Sequence, residues 1–171
     1  MKALLLASLL AAGGSTTQEY GTALHEAGHV LVAMELSGCI HPFAVSIDGT
    51  EGRTDFQFNK AEPACLDDVM TVGAAGFAAE LLVLRQSRTG SEMDFMKSVR
   101  LAADMTMPQC EVNPHVYEQQ CMDEGIGRRM DRALNEAYSI LSLHQDELLR
   151  IARDIYSAGF LELGDPPTGC F

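Results

Sequence analysis

His25-Glu26-Ala27-Gly28-His29 spells H-E-x-x-H in the middle of a stretch with helical periodicity. Residues four apart lie one turn apart on a single helical face, so both imidazoles can reach one metal ion. Glu26, beside the first histidine, stands where it can take a proton from a water held by that ion. Zinc suits this set: two neutral imidazoles, a third protein ligand and one position left for water. It lowers the pKa of bound water towards ~7 and polarises a carbonyl, the two effects that peptide hydrolysis needs. Five residues recur by chance in unrelated chains, so the surrounding pattern decides.

That pattern is helical. Residues 18–36 contain no proline, and Tyr20, Ala23, Leu24, Ala27, Leu31 and Met34 recur at steps of three and four. Ser37-Gly38 then supplies a helix stop. The bland alternative is a buried helix whose histidines are merely satisfied by hydrogen bonds. Such a helix has no use for an acid placed between two histidines at this register.

Downstream, Gly76-Phe77-Ala78-Ala79-Glu80 is followed by Thr89-Gly90-Ser91-Glu92-Met93-Asp94. Thr89-Gly90 is a turn signal and Ser91 an N-cap for a helix over residues 92–105, which puts Asp94 in the first turn. From spacing alone Asp94 is equally a metal ligand or a capping-box acid three residues after Ser91. Glu80 is a rival third ligand. It lies on an apolar helix over residues 67–84, where an unpaired carboxylate is costly to bury, so it must face solvent, a metal or a hydrogen-bond donor.

Taken together, these segments resemble the peptidase domain of the FtsH-type proteases, the membrane-anchored AAA+ zinc enzymes. That family carries HEAGH, then a glycine-glycine-arginine-x-Ala-Glu helix, then a T-G-x-x-x-D segment. The resemblance spans residues 18–163, with 41–58 as a strand pair and 126–163, including Glu136-Ala137-Tyr138, as a C-terminal helical segment. It implies a zincin-like metalloendopeptidase with one Zn²⁺ on His25, His29 and Asp94, and Glu26 as catalytic base. Glu80 would then support the site by orienting a ligand histidine or nearby backbone. Two departures stand out: Phe77 replaces the family's arginine, and Ala75-Gly76 its paired glycines. They leave the zinc chemistry untouched and bear instead on whatever that arginine contacts, other subunits included.

A chain of 171 residues suffices for one domain with a proper core, but not for a peptidase plus an ATPase. No G-x-x-x-x-G-K-[ST] loop occurs, so no ATP site of that kind is expected. The expectation is a protease without a motor, cutting flexible or already unfolded polypeptides or working beside a separate ATPase or adaptor. The competing class is a non-catalytic zinc-binding module that serves as such an adaptor. Family hexamers depend in part on the ATPase, so a monomer or small oligomer is expected here.

No stretch reaches the ~20 apolar residues of a membrane span. Lys2, the apolar residues 3–12 and Gly13-Gly14-Ser15 have the parts of a short secretory signal. A leading helix or a disordered start fits as well, and the single lysine and poor cleavage signal favour a cytoplasmic location over export. Five cysteines without a C-x-x-C pair leave the matter open: reduced in the cytosol, or two disulfides and a thiol after export, for instance Cys110 with Cys121. The 24 acids and 12 basic residues give a net charge of −12, a field that repels nucleic acid and anionic lipid.

The layout expected is a mostly helical α+β domain over residues 17–164, after an N-terminal segment (1–16) and before a tail (165–171). Phe43, Val45 and Ile47 alternate as in a half-buried strand; a turn near Asp48-Gly49 leads to a return strand over 55–58. That hairpin is expected to hold substrate by main-chain hydrogen bonds. Small residues from Gly73 to Ala79 suit close packing on the zinc helix. Residues 108–123 read as an irregular loop, and one long helix runs from Ile126 to Ile155 with His144 as a packing or partly exposed residue. Gly159 and Pro166-Pro167 read as the end of ordered structure, and the nine methionines as core filling.

Overall fold

The computed structural model describes residues 14–36, 40–58, 63–87, 92–111 and 118–164. Helix α1 (Gly14–Glu35) is its axis. From Ala23 to Ala33 every residue is buried, which requires small or apolar side chains all round the helix and not along a single stripe. Ala23, Leu24, Ala27, Val30 and Leu31 supply them, packed in the main core against Ala75, Leu148 and Ile155. Fully burying a leucine or isoleucine side chain contributes ~1.5–3 kcal/mol. Three polar residues, His25, Glu26 and His29, are drawn into this apolar environment with it.

Helix α2 (Pro63–Leu84) lies across α1. The small residues permit the approach: a Cβ on Gly28 would stand 2.6 Å from the Ala75 carbonyl oxygen and 2.8 Å from Ala79 Cβ. Gly73 serves a different neighbour, since a side chain there would strike Ser98 of helix α3 (Glu92–Glu111). A smaller core of Met70, Ala74, Ala102, Met130 and Ala133 joins α2 and α3 to helix α4 (Glu118–Leu143). Arg129 Nη1 reaches Asp67 Oδ1 at 3.0 Å and Thr71 Oγ1 donates to Glu136 Oε2 at 3.2 Å, fixing α4 on α2. Helix α5 (Gln145–Ala158) returns along α1 and buries Leu148, Ile151, Ala152 and Ile155.

Strands β1 (Ile40–Asp48), β2 (Glu51–Phe58) and β3 (Phe160–Glu162) form an antiparallel sheet in the order β2-β1-β3. The result is an α+β fold that is mostly helical. Gly49 takes φ 59° in the two-residue turn, a conformation that costs glycine little. No helix among the described residues is long and apolar enough to cross a membrane.

Five sequence expectations are corrected. The alternation Phe43–Val45–Ile47 fails at its first member. Pro42 pairs with Phe56 and Ala44 with Asp55, so Phe43 is the extra residue of a bulge and is 40% exposed. Proline cannot donate to a ladder, and in a central strand it is accommodated at such an irregularity. The loop expected over 108–123 is mostly helix, with only residues 112–117 outside the described chain between α3 and α4. Pro108 falls in the last turn of α3, where its missing N–H forgoes one bond to the carbonyl four residues back just before the helix ends. A Cys110–Cys121 disulfide ties the two helix ends, and Cys65 is disulfide-bonded as well.

The single long C-terminal helix is two helices that meet at His144 (φ −112°, ψ 31°), 3.6 Å from Glu35 Oε2. Gly159 does not end the order; it takes φ 71°, caps α5 and turns the chain into β3. Ile47 N–H donates to Gly159 O at 2.8 Å and Leu163 N–H to Phe43 O at 2.9 Å, which docks β3 on β1. The methionines divide: Met70 and Met130 fill the core, but Met34, Met93, Met96 and Met107 are exposed. Ser37-Gly38, the expected stop of α1, and Ser91, the expected cap of α3, lie outside the described residues.

Candidate metal centre

His25 and His29 sit one turn apart on α1, their ring centroids 4.7 Å apart and their planes at 79°. His29 Nδ1 is 2.6 Å from the Val72 carbonyl oxygen. A carbonyl only accepts, so this nitrogen carries the hydrogen, and Nε2 presents its lone pair. His25 Nδ1 likewise faces Glu80 Oε1 at 2.9 Å and donates to it, which turns its Nε2 to the same point. The two Nε2 atoms stand 3.0 Å apart.

Asp94, in the first turn of α3, completes the group. Its Oδ2 lies 3.5 Å from His25 Nε2 and 3.5 Å from His29 Nε2. Lys97 Nζ, one turn along, donates to the other oxygen, Oδ1, at 2.7 Å. Ligand atoms placed ~2.0–2.1 Å from a tetrahedral zinc stand ~3.3 Å from each other. The observed edges of 3.0, 3.5 and 3.5 Å therefore fit one ion about 2 Å from all three atoms. Two imidazoles and a carboxylate match the chemistry of a zinc site with an open fourth position.

Electrostatics lead to the same requirement. Two lone pairs and a carboxylate oxygen converge in a largely buried place, which demands a cation of some kind, a proton or a metal. Burial by itself lowers the His25 pKa, but hydrogen bonds to Asp94 and Glu80, with the charges of Glu26 and Glu80, outweigh it and raise the value to about 9. Asp94 is raised by burial and lowered far more by its hydrogen bonds with His25, His29 and Lys97, so its carboxyl stays well below the usual range.

The remaining sequence candidates fall around this group. Glu80 engages Nδ1, the side of His25 that faces away from the cluster, and so orients the ring. Glu26 is 4% exposed and its Oε2 accepts a hydrogen bond from Thr54 Oγ1 of β2 at 2.6 Å. His25, Glu26, His29 and Asp94 all open on a cleft of about 1220 Å³, lined as well by Thr50 of the turn and by the edge strand β2 from Glu51 to Thr54. The outer edge of β2 has no strand partner among the described residues. His144, on the far side of α1's end, and His41, whose Nε2 faces Gly164 O at 3.3 Å, belong to other surroundings.

Three contributors carry no mark that sequence reasoning picked out: Lys97, Thr54 and the Val72 carbonyl. Lys97 is within reach of inspection, three residues after Asp94 on one helix face. The other two arise from tertiary contact and leave no local signal. No protein-family model matches the chain, and no curated protein matches it significantly.

Proposed function

We propose that this chain is a zinc metalloendopeptidase of the FtsH-like kind, with His25, His29 and Asp94 as ligands and Glu26 as general base. One observation carries the proposal: two imidazole Nε2 atoms and a carboxylate oxygen, 3.0–3.5 Å apart, facing a cleft lined by the edge strand β2, which has no strand partner on that side among the described residues. Zinc bound there supplies a water of lowered pKa and a polarised carbonyl. Glu26 takes the proton of the attacking water and passes it to the leaving amine. Glu80 and the Val72 carbonyl keep both imidazoles in the tautomer that offers Nε2.

The outer edge of β2 holds an extended peptide through main-chain hydrogen bonds. Only a chain that can be drawn out fits such an edge, so the substrates are flexible or unfolded polypeptides, delivered where necessary by a separate ATPase or adaptor. The net charge of −12 speaks against nucleic acid as a partner. Cys65, Cys110 and Cys121 in disulfides fit an oxidising compartment better than the cytoplasm.

Zinc-loaded protein incubated with unfolded casein, with and without chelator, tests the activity. Glu26→Gln should retain zinc and lose hydrolysis by ~10²–10⁴-fold, the usual worth of a general base. Full activity in Glu26→Gln overturns the reading.

A further inference from the structure

The acid beside the first histidine is held from the sheet and not from its own helix. Thr54 Oγ1 donates to Glu26 Oε2 at 2.6 Å, and the carboxylate is buried. Gly52, two residues earlier on the same face of β2, leaves room for the rest of that side chain. A Cβ there would run into Glu26 Oε1 and stand 2.7 Å from Glu26 Cγ and 2.8 Å from Thr22 Cγ2. A hydroxyl has one hydrogen to give. Spent on Oε2, it fixes the carboxylate plane and leaves Oε1 as the oxygen that receives a proton.

We propose that Thr54 is a positioning residue for peptide hydrolysis: its hydroxyl aims the Glu26 carboxylate, Gly52 keeps the space that carboxylate occupies, and edge strand β2 thereby sets the base as well as the substrate. The inference rests on the peptidase reading above. Thr54 touches neither ligand histidine in any hydrogen bond, so its effect separates from metal binding. A misaimed base slows the chemical step and leaves substrate docking alone.

The experiment compares Thr54→Val, of nearly equal shape, and Thr54→Ser, which keeps the hydroxyl, with the parent protein. Zinc content, kcat and KM on casein-derived peptides are read for each. Thr54→Val should keep full zinc and a KM within about twofold while kcat falls ~10–100-fold, the loss of one hydrogen bond to a charged group. Thr54→Ser should return kcat to within about threefold of the parent. A purely structural threonine would show no such rescue and no split between kcat and KM. Should Thr54→Val fail to fold, Gly52→Ala is read in its place, with the same expected fall in kcat at full zinc. Parental kcat in the variant that folds, or loss of zinc from it, overturns the role of Thr54 while the peptidase reading stands. A parent protein without chelator-sensitive hydrolysis overturns both.

Discussion

His25 Nδ1 lies 2.9 Å from Glu80 Oε1, a contact between α1 and α2 across 55 residues of sequence, with both side chains buried. The carboxylate fixes which ring nitrogen carries hydrogen and raises the basicity of the other. Glu80→Gln keeps the size and a hydrogen-bonding oxygen but removes the charge. It should weaken zinc binding ~10–100-fold without abolishing it, as read by competition with a chromogenic chelator. Unaltered affinity would mean that the ring needs no such support.

Asp94→Ala removes an entire proposed ligand and should do more. Zinc remaining after gel filtration is expected to fall from about one ion per chain to a small fraction, because two imidazoles alone are a poor zinc site. Asp94 is also a main cause of the raised His25 pKa, so the metal-free variant should melt below the metal-free parent at neutral pH. Unchanged zinc content would place the ion away from the Nε2 pair.

At the proposed site, zinc and a proton would compete for His25. In the metal-free protein its pKa is raised to about 9, against an unfolded value near ~6.5. Folding therefore favours the protonated ring. That contribution is complete below ~6.5 and disappears as pH rises through about 9. Two outcomes follow for the parent protein. Without metal, its melting temperature should decline on going from neutral pH to above the His25 pKa. Zinc uptake near neutral pH should release about one proton, with apparent affinity climbing until the ring is neutral. Calorimetry in buffers of different ionisation enthalpy counts that proton, and a buffer-independent heat would contradict the competition.

The legible part of this molecule is the part that a period specifies. The pattern from Tyr20 to Leu31 announces α1, and a spacing of four then brings His25 and His29 together whatever the rest of the fold does. The hairpin is visible from Asp48-Gly49, but its facing is not. Pro42 forces a bulge, the bulge exchanges the two faces of β1 around Phe43, and register alone decides whether Thr54 meets Glu26 or solvent. The join at His144 is hidden for a related reason, since helical spacing continues across it and does not record the change of direction. Strand β3 is three residues long, too short for any alternation to show, and it exists because Gly159 turns the chain back on to β1. No local pattern brings Asp94 to the two histidines; it meets them only when α3 is set against α1.

Glycine positions on the helices offer a last test, in which close packing opposes intrinsic propensity. Replacing a mid-helix glycine by alanine favours the helix by ~1 kcal/mol when nothing interferes. A Cβ added at Gly127 of α4 would have nothing within 4 Å, so Gly127→Ala should stabilise the protein by about that amount. Gly28 is the opposite case: its Cβ would stand 2.6 Å from Ala75 O, and α1 and α2 would have to part. Gly28→Ala should therefore destabilise by ~1–3 kcal/mol in urea titration, propensity notwithstanding. Gly76 lies against the His25 ring itself, so a methyl there meets Nε2, Cε1 and Cδ2. Gly76→Ala should cost zinc affinity more than stability, since the ring can swing aside only by leaving Glu80 and the ligand cluster. Equal zinc affinity in Gly76→Ala and Gly127→Ala would show that His25 is not held where these contacts put it.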